Sequence, residues 1–452
     1  MSHKIRKVAV LGAGTMGAAI AAHCANAGLE VDLLDIAPED GDDNDAVVRA
    51  GFDRMKKARP AALMSKAVAD RMRLGNFEEH FDRVAEADWV VEAIIEKLEP
   101  KRQLMQRVEA AAKKDAVLSS NTSGIPLHQV AEGRSRDFKR RFLGTHFFNP
   151  PRYLKLMEII PTADTDPDLV AAVRDFGERV LGKGGVIAKD TPNFIGNRLG
   201  SFAGMQSARY AFENGYGIEE IDAITGPLIG HPKTATFRLN DQVGLDIAVG
   251  VAENLYEAVP EDESREELKP PKRLKEMQEL GLLGNKSGAG FYKRDERDGK
   301  TVFDVLDLET FEHRPAENPE IPILEEAQRR GDLGARLRFL IEKADEDRHA
   351  RFIRDTLLPY LAYASRRVPE ISDTLEDVDH AMEWGFAHQT GPFRTWDLLG
   401  VRETVESMEA MEIEVAPWVI EMLEAGNESF YKRENGRKLA FGPIEGRYEP
   451  VR

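Results

Sequence analysis

The sequence has few of the features that mark secreted, membrane or nucleic-acid-binding proteins. It carries one cysteine, Cys24, in 452 residues, which excludes an intrachain disulfide and a metal site built from several cysteines, so no metal site is predicted. No apolar run reaches the roughly 18 to 20 residues of a membrane span. The net charge of −17 argues against nucleic acid as the main partner, because phosphate binding requires a concentrated basic surface.

Length and composition predict a globular chain of two or three domains. A chain of 452 residues exceeds what one hydrophobic core usually serves. Hydrophobic residues at 42% and charged residues at 31% are typical of a globular protein. The chain opens with MSHKIRKVAVLGAG, which enters a strand at once and leaves no room for a leader peptide. We therefore expect a cytoplasmic protein.

The first part of the chain has the pattern of a parallel sheet with crossover helices. Up to about residue 185, short β-branched runs alternate with amphipathic stretches. Six runs are predicted as strands: VAVLGAG, VDLLDI, WVVEAII, AVLSSNT, FLGTHFF and MEIIPT. The alternation then stops, and FIGNRLGSFAGMQSARYAFENG predicts a long helix. The charged, proline-containing segment 293–320 is predicted as a surface loop or linker.

A loose internal repeat predicts that a helical domain is duplicated. EEIDAITGPLIGHPKTATFRLNDQVG recurs as EDVDHAMEWGFAHQTGPFRTWDLLG. At one constant offset, Phe237, Arg238, Asp241 and Gly244 match Phe393, Arg394, Asp397 and Gly400. The predicted fold class is an α/β Rossmann domain followed by two mainly α-helical, duplicated C-terminal domains. The predicted boundaries are 1–187 for the Rossmann domain, 188–295 for the first helical domain, 296–340 for a linker region and 341–452 for the second helical domain.

A glycine-rich turn predicts a dinucleotide site. Gly12-x-Gly14-x-x-Gly17 follows the strand KVAVL and opens a helix, the context that this motif requires. Gly12 permits the tight turn, Gly14 lets the backbone approach a pyrophosphate, and Gly17 allows close packing of helix and strand. Thr15 and Met16 lie in the first turn of that helix, whose N-terminus faces the phosphates. By itself the motif is also compatible with a simple strand-to-helix turn.

Asp35 strengthens the dinucleotide prediction and selects the cofactor. It ends the strand VDLLDI, 18 residues after Gly17, where a carboxylate accepts hydrogen bonds from the adenosine ribose hydroxyls. A carboxylate at this position repels a 2′-phosphate, and no arginine follows it immediately. NAD is therefore favoured over NADP.

His146 is the candidate base. Removal of hydride from a secondary alcohol leaves a proton on oxygen, and a neutral imidazole, with an ordinary pKa of about 6.5, is suited to accept it. His146 lies in FLGTHFFNP, at the expected carboxyl end of a strand, where open α/β sheets bind their ligands. Taken alone, the residue is explained at least as well by an interior histidine.

Four further segments carry a family pattern: VEAIIEKLEPK, SSNTSGIPL, GTHFFNPPRYLKLMEIIP and KDTPNFIGNR. Together they resemble the L-3-hydroxyacyl-CoA dehydrogenase family, including the dehydrogenase part of multifunctional β-oxidation proteins. The resemblance covers roughly residues 5 to 292 and, more weakly, residues 341 to 410. It implies NAD-dependent oxidation of (S)-3-hydroxyacyl-CoA to 3-oxoacyl-CoA in fatty-acid β-oxidation.

The resemblance also implies roles for individual residues. His146 is the base and Glu158, in the following strand, is its partner; two antiparallel strands joined by NPPRY would bring them side by side. Ser123 and Asn149 contact cofactor and bind the substrate oxygen or the catalytic pair, and Asn197 reaches the substrate from the second domain. Three further positions match cofactor-binding residues: Glu96 and Lys101 on the nicotinamide half, and Asn121.

The CoA phosphates need basic groups on an acidic chain. The stretch RMKKARPAALMSK is the most basic part near the first domain, and its candidates are Lys56, Lys57, Arg59 and Lys66. A solvated helix face explains any one of these residues better than a phosphate contact does.

The chain departs from the family pattern in two places. It is about two residues longer between Ser123 and His146, and it continues for about 160 residues beyond GAGFYK at 288–293, as multifunctional members do. Those members carry an enoyl-CoA hydratase domain that this sequence lacks, so a hydratase is expected as a separate partner or a covalent continuation. Single-repeat members pair through the helical domain; a monomer and a homodimer both remain open here.

Two other functions remain open. One is a dehydrogenase for a free 3-hydroxy acid on the same architecture. The other is a non-catalytic, NAD-binding scaffold subunit whose second helical domain serves a partner. Comparison of turnover of the acyl-CoA with turnover of the free acid distinguishes the free-acid enzyme from the acyl-CoA enzyme. NAD binding without turnover of any hydroxyacyl-CoA identifies the scaffold subunit.

Overall fold

The computed structural model describes residues 4–451. The chain divides into two compact units, with the boundary between Ile195 and Gly196. None of the helices within residues 4–451 combines the length and the hydropathy that a membrane crossing requires.

The first unit is built on one eight-stranded sheet. Its strands are β1 (Lys7–Leu11), β2 (Glu30–Asp35), β3 (Met72–Asn76), β4 (Trp89–Glu92), β5 (Val117–Ser120), β6 (Phe142–Phe147), β7 (Leu156–Pro161) and β8 (Gly184–Ile187). Their spatial order is β3-β2-β1-β4-β5-β6-β7-β8. Neighbouring strands are parallel except β6 and β7, which are antiparallel. The order reverses between β1 and β4, which confirms the Rossmann prediction.

Helices cover the sheet of the first unit. They are α1 (Thr15–Asn26), α2 (Ala46–Lys57), α3 (Leu98–Ala111), α4 (Leu127–Val130), α5 (Arg136–Arg140) and α6 (Pro167–Arg179), with 3-10 helices at Lys66–Arg71 and Phe81–Glu86. The core joins β1, β2 and α1 through residues such as Val10, Leu33 and Ile20, all fully buried. Burial on both faces explains why the central strands are apolar without alternation.

Two strands of this sheet were not predicted. β3 has the sequence MRLGN and β8 has GGVI. Both are short and contain glycine, which is depleted in strands. They lie at the two edges of the sheet, where a neighbour on only one side supplies the pairing.

The second unit contains thirteen helices and two small antiparallel sheets in the part that the structure describes. The helices are α7 (Gly196–Glu213), α8 (Ile218–Ile224), α9 (Phe237–Val243), α10 (Leu245–Ala258), α11 (Arg265–Leu268), α12 (Lys272–Glu279), α13 (Pro322–Gln328), α14 (Leu333–Glu342), α15 (Arg348–Arg366), α16 (Leu375–Gly385), α17 (Pro392–Leu399), α18 (Val401–Ala410) and α19 (Pro417–Glu424), with a 3-10 helix at Pro227–Ile229. The strands are β9 (Tyr292–Arg297), β10 (Lys300–Leu306), β11 (His313–Pro315), β12 (Tyr431–Glu434), β13 (Arg437–Gly442) and β14 (Arg447–Pro450).

The element order repeats within this unit. A long helix, shorter helices and a three-stranded sheet run from α7 to β11, which we call the first copy, and again from α15 to β14, which we call the second copy. Gly244 and Gly400, matched in the sequence repeat, both have left-handed φ angles, 102° and 95°, between consecutive helices. The predicted duplication of a helical domain is therefore present in the fold.

Two carboxylates, one buried and one partly buried, make the same contacts in each copy. In the first copy, Asp241 accepts hydrogen bonds from the amides of Phe291 (2.9 Å) and Tyr292 (2.8 Å), and the Tyr292 hydroxyl donates to Asp222 (2.8 Å). In the second copy, Asp397 accepts from the amides of Phe430 (2.7 Å) and Tyr431 (2.9 Å), and the Tyr431 hydroxyl donates to Asp379 (2.6 Å). Each sheet is thus joined to its helices by two acceptors and one tyrosine.

The segment 293–320 is not the surface loop expected from its charge. It contains most of β9 and all of β10 and β11, which form a three-stranded antiparallel sheet. Four of the six residues of β9 are exposed, so its charged residues face solvent without opposing strand formation. The rest of the region predicted as a linker, 296–340, holds α13 and part of α14.

Candidate active site

His146 and Glu158 form a buried pair on neighbouring strands. They are directly opposite in the antiparallel register of β6 and β7. His146 Nδ1 lies 2.6 Å from Glu158 Oε2, and the two residues are 4% and 0% exposed. A carboxylate that contacts one imidazole nitrogen fixes the orientation of the ring and stabilises its protonated form. The arrangement suits His146 to accept a proton at Nε2.

The pair lies in a largely apolar setting. The imidazole ring has Phe148 at 4.7 Å and Phe194 at 5.7 Å between ring centroids. The second oxygen of Glu158, Oε1, accepts a hydrogen bond from the backbone amide of Ile195 (3.1 Å). Both carboxylate oxygens are therefore engaged, which holds Glu158 in one orientation and in turn holds His146.

The glycine turn between β1 and α1 fits the close approach of a dinucleotide. Gly12 has φ of 108°, and a Cβ at this residue would overlap the backbone of Ala93. A Cβ at Gly17 would overlap the carbonyl group of Gly12. Gly14, by contrast, is exposed and has nothing within 4 Å of its Cβ position. Two glycines therefore build the turn, and the third leaves bare backbone at the helix N-terminus where a pyrophosphate binds. Thr15 is also exposed in this first turn, whereas Met16 packs partly against the core.

Asp35 lies in a pocket next to this turn. The pocket, of about 410 Å³, is lined by Ala13, Gly14, Asp35, Ala46, Val47, Ala50 and Arg54. The Asp35 carboxylate accepts hydrogen bonds from the amides of Ala13 (2.6 Å) and Ile36 (2.7 Å). At the end of β2, the Asp35 carboxylate is placed to accept hydrogen bonds from the ribose hydroxyls of a bound NAD.

A chain of three charged side chains, of which Lys101 and Glu92 are buried, supports the loop that carries Ser123. Glu96 Oε1 accepts hydrogen bonds from the Thr122 hydroxyl (2.5 Å) and from the amide of Ser123 (2.8 Å). Lys101, 1% exposed, pairs with Glu96 (3.1 Å) and with the fully buried Glu92 (2.7 Å). Burial alone would raise the pKa of Glu96, but Lys101 and the hydrogen bonds hold it below its usual range.

The remaining candidates are distributed over both units. Asn121 is buried, and its side-chain oxygen accepts the amide of Phe147 (2.9 Å), so it connects the end of β5 to β6. Asn149 is exposed just beyond β6, in the first unit. Asn197 is half-buried in the first turn of α7, in the second unit. Lys56 forms an ion pair with Asp53 (2.9 Å) on the exposed side of α2. Lys57 at the end of α2, Arg59 just after it and Lys66 at the start of the next 3-10 helix are all exposed.

Sequence reasoning missed two side chains at these sites. Glu92 accepts hydrogen bonds from the Ser120 hydroxyl (2.5 Å) and from Lys101 (2.7 Å), although the strand WVVE gave it no polar neighbour in sequence. Arg54 lines the pocket beside Asp35, although no arginine follows Asp35 directly in the chain. The sequence feature that could have identified Arg54 is its position on the amphipathic helix that follows the second strand.

Two family models of one enzyme family match this chain. A family model described as "3-hydroxyacyl-CoA dehydrogenase, NAD binding domain" matches residues 7–191, and "3-hydroxyacyl-CoA dehydrogenase, C-terminal domain" matches residues 194–294 and 352–440. The chain belongs to the 3-hydroxyacyl-CoA dehydrogenase family. Its first unit is the NAD-binding domain of that family, and the C-terminal domain is matched once within each copy of the second unit.

Individual members of the 3-hydroxyacyl-CoA dehydrogenase family resemble this chain over most of its length. A probable 3-hydroxyacyl-CoA dehydrogenase from Bacillus subtilis is 41% identical and is matched over 100% of this chain and 58% of its own length. A putative fatty acid oxidation complex trifunctional enzyme from Rickettsia felis is 30% identical over 96% of this chain and 58% of its own length. The crystal structure of an Escherichia coli 3-hydroxybutyryl-CoA dehydrogenase has the same fold, with a TM-score of 0.66 at 21% identity, covering 94% of this chain and 99% of that one. This chain therefore spans little more than half the length of the two relatives.

Proposed function

We propose that this chain oxidises (S)-3-hydroxyacyl-CoA to 3-oxoacyl-CoA in fatty-acid β-oxidation, with NAD as cofactor and His146 as general base. Bound NAD supplies the hydride acceptor for C3 of the substrate. His146 takes the proton of the 3-hydroxyl group at Nε2, so the substrate loses one hydride and one proton and becomes a ketone. In the reverse direction, the protonated imidazole returns that proton to the oxygen.

The observation that carries the proposal is the contact of 2.6 Å between His146 Nδ1 and Glu158 Oε2. Protonation of a buried imidazole is unfavourable unless a negative charge compensates it, and Glu158 is fully buried beside the ring. The amide of Ile195 donates a hydrogen bond to the other carboxylate oxygen, which helps to hold Glu158 in the orientation of a partner to His146.

Three polar residues are proposed to orient the substrate. Ser123, on the loop held by Glu96, binds the substrate oxygen and contacts the cofactor, and Asn149, just beyond β6, shares this role. Asn197 holds the thioester arm, which supplies orientation to a reaction that depends on alignment. The CoA phosphates are proposed to bind four exposed cations on α2 and the segment after it, Lys56, Lys57, Arg59 and Lys66.

Formation of NADH from (S)-3-hydroxybutyryl-CoA and from longer acyl chains tests the proposal. His146→Gln should abolish turnover, by at least about 10³-fold, and leave the Kd of NAD nearly unchanged. His128→Gln is the matched control, because the ring of His128 is 62% exposed in the same unit. It should retain wild-type turnover.

Two outcomes would overturn this proposal. Equal or better turnover of free 3-hydroxybutyrate would replace the thioester substrate with a free hydroxy acid. Tight NAD binding with no turnover of any hydroxyacyl-CoA would indicate a non-catalytic, NAD-binding scaffold.

We further propose a cytoplasmic location and an enoyl-CoA hydratase as the partner that supplies the substrate. The longer relative that is named as a trifunctional fatty acid oxidation enzyme supports such an association. The protein is proposed to act as a monomer or homodimer. Addition of a separate hydratase and a 2-enoyl-CoA should then give NADH formation at a rate limited by the dehydrogenase.

A further inference from the structure

The first turn of α7 is held by a buried polar cluster in the second unit. Arg198, directly after Asn197, is 1% exposed. Its Nε donates to the Tyr363 hydroxyl (2.7 Å), and its Nη2 donates to Asp262 Oδ2 (2.6 Å). The Tyr363 hydroxyl donates in turn to the same Asp262 oxygen (2.8 Å). Three side chains thus form a closed set of hydrogen bonds, with Arg198 from the first copy and Tyr363 from the second.

Charges around this triangle are balanced. Arg367 of the second copy pairs with Asp262 (3.2 Å) and with Glu370 (2.8 Å), and Glu370 lies 3.2 Å from Arg198. Burial alone would raise the pKa of Asp262, but Arg367 and Arg198 keep it below its usual range. Because buried charges are costly once a partner is removed, the cluster fixes the position of Arg198 strongly.

Apolar contacts from the second copy hold the same end of α7. Phe202, one turn after Arg198, stacks on the ring of Tyr363 with centroids 4.0 Å apart and planes inclined by 6°. Gly200 faces Phe386, whose ring carbon Cζ would lie 2.5 Å from a Cβ at that position. The second copy therefore contacts α7 at three residues within its first seven.

We propose that the second copy is a positioning element for Asn197, and that it acts through the contact between Tyr363 and Arg198. The first backbone amides of a helix lack partners within the helix, so its first turn is the part most prone to fray. The neighbouring Arg198 removes that freedom, because its guanidinium is fixed by the second copy. This inference rests on the proposed role of Asn197 in holding the substrate.

Tyr363→Phe tests the contact and keeps the ring that stacks on Phe202. We expect kcat for 3-hydroxyacyl-CoA to fall about tenfold, since small errors of alignment are costly, while the Kd of NAD stays within about twofold. Tyr360→Phe is the matched control. Tyr360 lies on the same helix, and its buried hydroxyl has no hydrogen-bond partner among residues 4–451. This control should keep wild-type values of kcat and KM.

Hydrogen exchange gives a readout that is independent of turnover. Amides of residues 196–202 should exchange at least about fivefold faster in Tyr363→Phe than in wild type, and at the wild-type rate in Tyr360→Phe. Arg198→Lys should resemble Tyr363→Phe, because an ammonium group cannot reproduce the two-pronged geometry of the guanidinium. Unchanged exchange and unchanged kcat in Tyr363→Phe would overturn the proposal.

A double-mutant cycle separates positioning of Asn197 from a general loss of stability. In an Asn197→Ala background, Tyr363→Phe should cause no further fall in kcat, because the group that it positions is already absent. A further tenfold fall would mean that Tyr363 acts by another route, and the inference would fail. If wild type turns over no hydroxyacyl-CoA, the proposed function fails, and the exchange measurement still decides whether Tyr363 orders α7.

Discussion

Single residues in the glycine turn have separable roles. Gly17 packs against the backbone of Gly12, whereas the Cβ position of Gly14 is open. The close packing at Gly17 is needed for the turn to fold, whereas the open space at Gly14 lets the cofactor pyrophosphate approach the backbone. Substitution of each glycine by alanine distinguishes the two roles.

Gly17→Ala should destabilise the first unit and weaken NAD binding. Its Cβ would overlap the Gly12 carbonyl, and forced displacement of a packed backbone costs about 1–3 kcal/mol. Gly14→Ala should unfold as wild type, since φ at this residue is −63°, which alanine adopts without strain. It should nevertheless weaken NAD binding, because the methyl group occupies space beside the pyrophosphate. Thermal unfolding and NAD titration measure both effects; a wild-type midpoint for Gly17→Ala would contradict the prediction.

Lys183 should give the first unit a distinctive dependence on pH. This lysine is 4% exposed, and it donates hydrogen bonds to the carbonyl oxygens of Leu154 (2.7 Å) and Pro151. Burial lowers its pKa from 10.5 to about 8. Between these two values the unfolded chain holds more protons than the folded chain. The free energy of unfolding should therefore rise with pH in that interval, by up to about 1.4 kcal/mol per pH unit.

Lys183→Met isolates this contribution. Urea unfolding of wild type and variant between pH 7.5 and 10 gives two curves, and their difference removes the other titrating groups. We expect the difference to grow with pH in favour of wild type. A difference that is constant over the interval would show that the ammonium of Lys183 titrates at its ordinary pKa.

Residue-level prediction succeeded where the motif and the strand geometry agreed. His146 and Glu158 were expected to be side by side because two antiparallel strands with a short connection allow it, and the register of β6 and β7 has them opposite. The burial of Lys101 between Glu92 and Glu96 was not predictable in the same way. It depends on α3 bringing the Lys101 side chain to Glu92 at the end of β4, which spacing along the chain does not encode.

At the scale of elements, one aspartate in each copy links a helix to the three-stranded sheet through two backbone hydrogen bonds. Asp397 lies in the last turn of α17 and accepts hydrogen bonds from the amides of Phe430 and Tyr431, at the start of the last sheet. Asp241, in α9, makes the equivalent contacts in the first copy. Loss of such an acceptor leaves two amide donors, at least partly buried, without a partner.

Asp397→Ala should therefore lower the free energy of unfolding by about 2–4 kcal/mol, since each unsatisfied buried donor costs about 1–3 kcal/mol. Asp241→Ala should have a similar effect, because the contacts are equivalent. Glu434→Ala, at an exposed position on the adjoining hairpin, is the control and should change stability by less than about 0.5 kcal/mol. Chemical denaturation of the three variants measures these values. Equal stability of Asp397→Ala and Glu434→Ala would contradict the prediction.

Part of this repeat was visible in the sequence and part was not. The matched residues from Phe237 to Gly244 and from Phe393 to Gly400 are separated by one constant number of residues. The motif FYKR also occurs twice, at 291–294 and 430–433, but its two occurrences are closer together in sequence, because the second copy has a shorter connection before its sheet. The β9–β10 hairpin was obscured for a physical reason. Most of β9 faces solvent, so charged residues occupy it and the apolar alternation that identifies a half-buried strand is missing.

At the scale of the second unit as a whole, the two copies and the helices between them share one hydrophobic core. The cluster contains Met205, Ala208 and Tyr216 from the first copy, Phe339 and Leu340 from α14, and Phe352 and Ile353 from the second copy. Tyr216 and Phe352 also contact edge to face, with ring centroids 5.4 Å apart. The core of the first copy therefore includes residues from the start of α15, in the second copy.

A chain that ends at Pro315 should therefore fail to behave as an independent monomer. Removal of α13–α19 and the last sheet would expose the apolar face that now contacts Phe352, and exposed patches of that kind are covered by association. We expect light scattering to give a dimer or larger species, with a lower unfolding midpoint in the second unit than in the full chain. The first unit should keep its NAD affinity, since its glycine turn and the Asp35 pocket lie wholly before Ile195. A monodisperse monomer with the unfolding midpoint of the full chain would mean that the shared core contributes nothing to the stability of the first copy.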